Sequence, residues 1–131
     1  MILYRVSNLN SSDDSLDDVL DTKLLSDLRQ RMVSTPDALD GIYRRFFDNA
    51  GRLIGTLRDQ ENAAQRHTLH ALKGSAAMLG AKRLAALADC LHQEDLQSPT
   101  LLTPAIEALE TELESFRRVV AAHVVLDPST P

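Results

Sequence analysis

The sequence predicts an all-α protein, folded as an antiparallel helical bundle with short loops. Apolar residues recur at intervals of three and four along most of the chain, and no segment alternates apolar and polar residues for long enough to form a strand. Aromatic residues make up only 4% of the 131 residues. The core must therefore consist mainly of leucine, alanine, valine and isoleucine, and this composition, with few glycines and prolines, favours helices over sheet.

The first two predicted helices are separated by a cap signal. The first runs from about residue 16 to residue 32, or in two pieces if Asp21-Thr22 starts it afresh. The second has Thr35 as its N-cap and Pro36 at its first helical position, where a missing N–H costs nothing. The apolar stripes are Leu20, Leu24, Leu28 and Met32 on the first helix, and Leu39, Ile42, Tyr43, Phe46, Ala50, Leu53 and Leu57 on the second.

Three more helices follow. The third is expected to end at Leu79-Gly80, with Gly80 as a left-handed cap. Thr103 and Pro104 repeat the cap-and-proline pattern and predict the start of the last helix. The stripes are Leu84, Leu87 and Leu91 on the fourth helix, and Ile106, Leu109, Leu113, Phe116 and Val120 on the fifth. Met78 and Cys90 are interpreted as packing residues. The domain then spans residues 16–124, between a predicted flexible tail or linker at 1–15 and a C-terminal tail at 125–131.

Composition disfavours several classes of protein. The single cysteine, Cys90, cannot form an internal disulfide or an all-cysteine metal site, and it suits a reducing compartment. The formal net charge of −5 argues against nucleic-acid binding. No apolar run approaches the ~20 residues of a membrane span. We therefore expect a cytoplasmic domain with no direct membrane contact.

The third helix carries an unusual exposed face. On a helical wheel, Leu69, Leu72, Ala76 and Leu79 point to the core. His70 falls opposite them, and His67 lies about 60° round the helix from it. The face around His70 holds mainly small or basic residues: Ala63, Arg66, Lys73, Gly74 and Ala77. A mid-helix glycine costs about 1 kcal/mol relative to alanine, which is explained if a partner must come close to the histidine.

The charge pattern agrees with a site for an anionic group. No acidic residue lies between Glu61 and Asp89, whereas the basic residues of this segment are Arg66, Lys73, Lys82 and Arg83. A local basic field on an acidic protein suits a phosphoryl group or an acidic partner.

The segment from His70 to Leu87, "HALKGSAAMLGAKRLAAL", resembles the histidine phosphotransfer domain of multistep phosphorelays. The elements of that family's signature are His70, Leu72, Lys73, Gly74, Ser75, Ala76, Leu79, Gly80, Leu84 and Leu87. The match is specific over this core, and the flanking helices agree in length, order and pattern from about residue 16 to residue 124.

The resemblance implies an antiparallel four-helix bundle with an additional N-terminal helix. It implies that His70 accepts a phosphoryl group from the aspartate of one receiver domain and passes it to another, as a carrier without turnover of its own. Lys73 would then stabilise the phosphoryl oxygens, and Gly74 would leave room for the receiver. The docking face would include Ala63, Arg66, His67 and Ala77.

The partners implied are receiver domains, either of response regulators or of a hybrid sensor kinase. This chain would be either the C-terminal module of such a kinase or a free-standing protein. As an isolated domain it is expected to be a monomer. No cofactor of its own is expected. Mg²⁺ should come with the receiver, because no carboxylate lies on this face of the helix to hold it.

Other interpretations remain open at this point. The bundle could regulate a partner by docking alone, without phosphorylation. His67 could compete as the phosphoacceptor, although it lacks the Leu-Lys-Gly that follows His70. His67, His70 and His92 could be proposed as a zinc site, but neither cysteine nor acidic ligands are expected nearby. Position 92 commonly holds an acid in the family, so its role here is in doubt.

Overall fold

The computed structural model describes residues 19–32 and 36–124. Over this part of the chain the elements are α1 (Thr22–Arg31), α2 (Pro36–Thr56), a 3₁₀ turn (Leu57–Asp59), α3 (Asn62–Met78), α4 (Lys82–His92) and α5 (Pro99–Val124). The described residues form no strand beyond an isolated bridge between Leu20 and Ala81. The all-α prediction is confirmed. The cap at Thr35 and the two tails lie outside the described residues.

The helices from α2 to α5 form the bundle. Each packs against the next, and α2 packs against α5 to close the ring, so that α3 and α5 lie diagonally opposite. Contacts between α2 and α3 show that these two helices are antiparallel. The Tyr43 hydroxyl donates to the Leu79 carbonyl (3.1 Å), whereas Gln65 Nε2, at the other end of α3, donates to the Leu57 carbonyl (2.9 Å).

The predicted apolar stripes line the core. Those of α4 and α5 are entirely buried, while on α2 Ile42 and Leu53 are only half-buried. An aromatic cluster joins α2 to α5: Phe116 lies with its ring centroid 5.7–6.0 Å from those of three aromatic residues of α2, Tyr43, Phe46 and Phe47. Aromatic rings at this separation pack favourably, so the few aromatic residues hold the two longest helices together.

The predicted first helix is wrong as a single helix. Leu20 bridges to Ala81, and the Asp21 carboxylate accepts a hydrogen bond from the Leu24 N–H (3.1 Å), which makes Asp21 the N-cap of a new helix. The chain is therefore divided at Asp21-Thr22, the second of the two alternatives. Because α1 starts there, Leu25 is its fully buried residue, and Leu24 is only half-buried.

The last helix begins earlier than predicted. Its first residue is Pro99, and Pro104 lies inside the helix rather than at its start. The Ser98 carbonyl accepts from the Leu101 and Leu102 N–H groups at 3.0 and 2.9 Å. Ser98-Pro99 is thus the same cap-and-proline pattern, five residues upstream of Thr103-Pro104. Leu101 and Leu102, which the earlier start includes in the helix, pack against the core, and this contact favours the earlier start.

Gly80 ends α3 as predicted. Its φ is +82°, in the left-handed region that favours glycine. The Gly80 N–H donates to Ala77 O (3.2 Å), and the Ala81 N–H donates to Ala76 O (2.8 Å), which is the Schellman motif. The Gly80 carbonyl accepts from the Asp21 N–H (2.8 Å). The turn between α3 and α4 is therefore also the attachment point of the N-terminal segment.

Candidate functional site

The predicted face of α3 points to solvent. All seven of its residues are exposed: Ala63, Arg66, His67, His70, Lys73, Gly74 and Ala77. Leu69, Leu72 and Ala76, on the opposite side, are at most 1% exposed. The helix thus places a histidine on the surface with a basic residue about one turn away on each side, Arg66 before it and Lys73 after it.

Gly74 has open space above it. Apart from the adjacent residues and backbone of its own helix, a Cβ built at this position meets no atom within 4 Å. Packing therefore does not require glycine there, although glycine weakens the helix by about 1 kcal/mol relative to alanine. Its effect is to leave the surface bare one turn after His70.

Helix α4 contributes the second half of the site. The His70 and His92 rings lie 6.0 Å apart between centroids, tilted by 51°. Lys73 Nζ lies 3.0 Å from Asp89 Oδ1. Three residues forward along α3 correspond to three residues back along α4, as in an antiparallel helical hairpin. The solvent side of this hairpin therefore carries two matched pairs, His70 with His92 and Lys73 with Asp89.

Asp89 corrects one expectation from the sequence. The wheel of α3 places no carboxylate on the site's face, but the neighbouring helix brings one into contact with Lys73. His92, whose role was in doubt, is likewise a neighbour of His70. Sequence reasoning missed Asp89, and brought His92 to His70 only in the zinc alternative, because it treated one helix at a time. The short link around Gly80 carried the signal, since residues equally distant from Ala81 face each other across such a hairpin.

The predicted basic field is weaker than four positive charges. Arg83 turns into the interface between α4 and α5, where its Nε lies 2.8 Å from Glu112 Oε1 and the Glu112 side chain is fully buried. Lys73 is balanced by Asp89. Arg66 and Lys82 are exposed. Arg83 is thus directed away from the His70 face, the charge of Lys73 is partly neutralised by Asp89, and Arg66 remains as an exposed cation one turn before His70.

Met78 differs from expectation, whereas Cys90 is partly packed. Met78 is 74% exposed and adds a large apolar side chain at the end of α3, because the helix ends there and leaves its last outward position uncovered. Cys90 is half-buried. Burial, reinforced by the carboxylates of Glu94 and Asp89, raises the pKa of its thiol. This thiol therefore stays protonated and a poor nucleophile at neutral pH.

Polar contacts hold the first half of α3 in place. Gln65 is 2% exposed; besides its bond to Leu57 O, its Oε1 accepts from Gln97 Nε2 (2.9 Å). The Thr68 hydroxyl donates to Gln60 Oε1 (2.8 Å). Because buried polar side chains with satisfied partners favour one arrangement of the backbone, these bonds fix the segment that carries His67 and His70.

The described residues contain no group of three His, Cys, Asp or Glu side chains placed to share a metal ion. Within the same part of the chain, none of the helices combines the length and apolarity needed to cross a membrane. A cleft of about 390 Å³ lies between α2 and α5, and none of its lining residues belongs to α3 or α4. His70 is on open surface instead.

A helical bundle that presents an imidazole on open surface, with a lysine and a bare glycine beside it, has the features that a group carrier needs. The family model for the Hpt domain matches residues 23–119, and the chain belongs to this family. Hpt domains are phosphotransfer carriers in phosphorelays, where they interact with receiver domains. No curated protein and no solved structure gives a significant match to the chain.

Proposed function

We propose that His70 accepts a phosphoryl group from the aspartate of one receiver domain and donates it to the aspartate of another. The observation that carries this proposal is the combination at one point of α3: an exposed imidazole, a lysine three residues on, and open space above Gly74. His67 is also exposed, but neither Lys73 nor Gly74 lies within one turn after it. The proposal therefore assigns the acceptor to His70.

The chemistry follows from the ring. The lone pair of an unprotonated imidazole nitrogen attacks the phosphorus of the receiver's acyl phosphate. The N–P bond forms as the P–O bond breaks, and the electron pair of that bond returns to the receiver's carboxylate. The second ring nitrogen, which carried a proton, releases it to solvent. Transfer to the next receiver is the reverse reaction.

The surrounding residues supply position and charge. The transferred group bears negative charge on three oxygens, so a nearby cation stabilises it. Lys73 is the cation placed for this, and Arg66 lies one turn to the other side of His70. We propose that Mg²⁺ enters with the receiver's own carboxylates, and that the exposed small residues of α3, with Met78 at the rim, form the docking face. The domain acts in a reducing, cytoplasmic setting as a monomer.

The test is phosphorylation of single-histidine variants by a phosphorylated receiver. Profiling the receivers of the source organism identifies the fastest donor. With that donor, His70→Gln should carry no acid-labile, base-stable label and should melt like wild type, because the side chain is exposed. His67→Gln is the matched control and should be labelled normally. Labelling lost in His67→Gln and kept in His70→Gln would move the acceptor to His67.

The same experiment separates transfer from docking alone. A bundle that only regulates a partner by binding would associate with a receiver and remain unlabelled in the wild type. That outcome would overturn the proposal.

A further inference from the structure

We propose that Asp89 is a positioning residue that controls the reactivity of His70 by holding Lys73 before the phosphoryl group arrives. This inference rests on the proposed function and adds a regulator to the same site. It starts from the ion pair between Lys73 Nζ and Asp89 Oδ1 (3.0 Å), which lies beside the His70–His92 ring contact.

The pair is placed to exchange partners. The Lys73 side chain is 45% exposed and that of Asp89 is 49% exposed. Ion pairs at such exposure are weak, because water competes for both charges. Lys73 can therefore leave Asp89 at small cost when a stronger anion appears one turn away. A phosphoryl group with nearly two negative charges is such an anion.

The carboxylate works against the phosphorylated state. While Lys73 is bound to Asp89, its charge is already balanced and stabilises an incoming phosphoryl group less. When Lys73 turns to the phosphoryl oxygens, Asp89 loses its partner. Either way, the free energy of forming the N–P bond rises, and His70 becomes a slower acceptor but a better donor. A carrier must give its phosphoryl group away, so this balance suits transfer in both directions.

The test uses phosphoramidate as the donor, so that no receiver is needed. The N–P bond to His70 forms as the P–N bond of phosphoramidate breaks and ammonia leaves. Asp89→Asn keeps the shape of the side chain and removes its charge. From the strength of exposed ion pairs we expect its initial labelling rate to rise roughly two- to fivefold. Glu110→Gln is the matched control, because Glu110 is exposed on α5, diagonally across the bundle. It makes the same change in net charge and should leave the rate unaltered.

A double-mutant comparison shows whether Asp89 acts through Lys73. In a Lys73→Gln background, Asp89→Asn should raise the rate by a clearly smaller factor than it does with Lys73 present. An equal factor in both backgrounds, no increase in Asp89→Asn, or the same increase in Glu110→Gln would each overturn the inference. Absence of any label at His70 in the wild type would instead overturn the proposed function, so the two failures are distinguishable.

Discussion

At the scale of single residues, Gly74 links a feature of the sequence, a glycine inside a helix, to the candidate site around His70. Glycine inside a helix is unfavourable, and the space above this one is open. Packing among the described residues therefore does not offset its cost to the helix. Gly51 and Gly55 on α2 are exposed helical glycines with the same open space, so it is the position of Gly74 beside His70 that supports the proposed approach of a partner protein.

Substitutions at Gly74 should separate stability from transfer. We expect Gly74→Ala to raise the free energy of unfolding by up to about 1 kcal/mol. Gly74→Gln should stay folded but slow transfer from a phosphorylated receiver markedly, because its side chain occupies the approach to His70. Labelling by phosphoramidate, a small donor, should change much less.

The matched control for this prediction is Gly55→Gln. Gly55 is exposed on α2 and, like Gly74, has open space above it. It should leave receiver transfer unchanged. Wild-type transfer rates in Gly74→Gln would show that this face does not receive the receiver domain.

At the scale of the elements, the hairpin of α3 and α4 assembles the site. Its three-residue link aligns His70 with His92 and Lys73 with Asp89. The link depends on Gly80, whose positive φ ends α3 and whose carbonyl binds Asp21. A change at this turn should therefore affect stability and the register of the two helices together.

Gly80→Ala tests the turn. A Cβ on Gly80 would lie 3.2 Å from the Asp21 Cβ, and its φ of +82° is unfavourable for alanine. We expect a loss of about 1–3 kcal/mol in the free energy of unfolding, measured with denaturant. Gly51→Ala, at an exposed helical glycine with open space, should be neutral or stabilising. Equal effects of the two substitutions would contradict the special role of this turn.

Tyr43, through which α2 contacts the end of α3, should make the free energy of unfolding depend on pH. Burial raises the pKa of Tyr43 to about 12, partly opposed by the Arg29 guanidinium. The folded state therefore keeps the phenol neutral at a pH where the unfolded chain, with a tyrosine pKa near 10, has lost the proton. This contribution to stability is complete below about pH 10 and is lost as the pH rises from about 10 to 12.

Tyr43→Phe is the control for that dependence. Between pH 10 and pH 12 the wild type should lose stability more steeply than the variant, as followed by denaturant unfolding. At pH 7 the variant should be less stable by about 0.5–1.5 kcal/mol, because the hydrogen bond to Leu79 O is missing. Parallel pH profiles would mean that Tyr43 does not ionise differently in the two states.

At the scale of the whole molecule, one leucine-rich core supports the site. Leu72 and Leu109 are both fully buried, on the diagonally opposite helices α3 and α5. Truncation of either to alanine should cost about 2–5 kcal/mol in thermal or denaturant unfolding. Met78→Ala removes a comparable side chain from the surface and should stay within about 0.5 kcal/mol of wild type. Wild-type stability in both leucine variants would mean that the core is misassigned.

The sequence by itself determined the fold class, the stripes of the long helices, the cap at Gly80 and the outward face of α3. These features are local, since helical period and cap chemistry depend on residues within a few positions of each other. The histidine, lysine and glycine of the candidate site share one turn of one helix, and for that reason their exposure was predictable. Their chemical roles remain predictions.

Only the tertiary structure decided what faces that turn. It brought Asp89 and His92 to the site, turned Arg83 away to the buried Glu112, and chose Ser98-Pro99 over Thr103-Pro104 as the start of α5. Each of these outcomes depends on which residues of another helix lie opposite, or on how much apolar surface an extra helical turn can bury. Propensity and capping rules can predict neither, because they describe local sequence alone. The energy of such contacts exists only once the helices have packed.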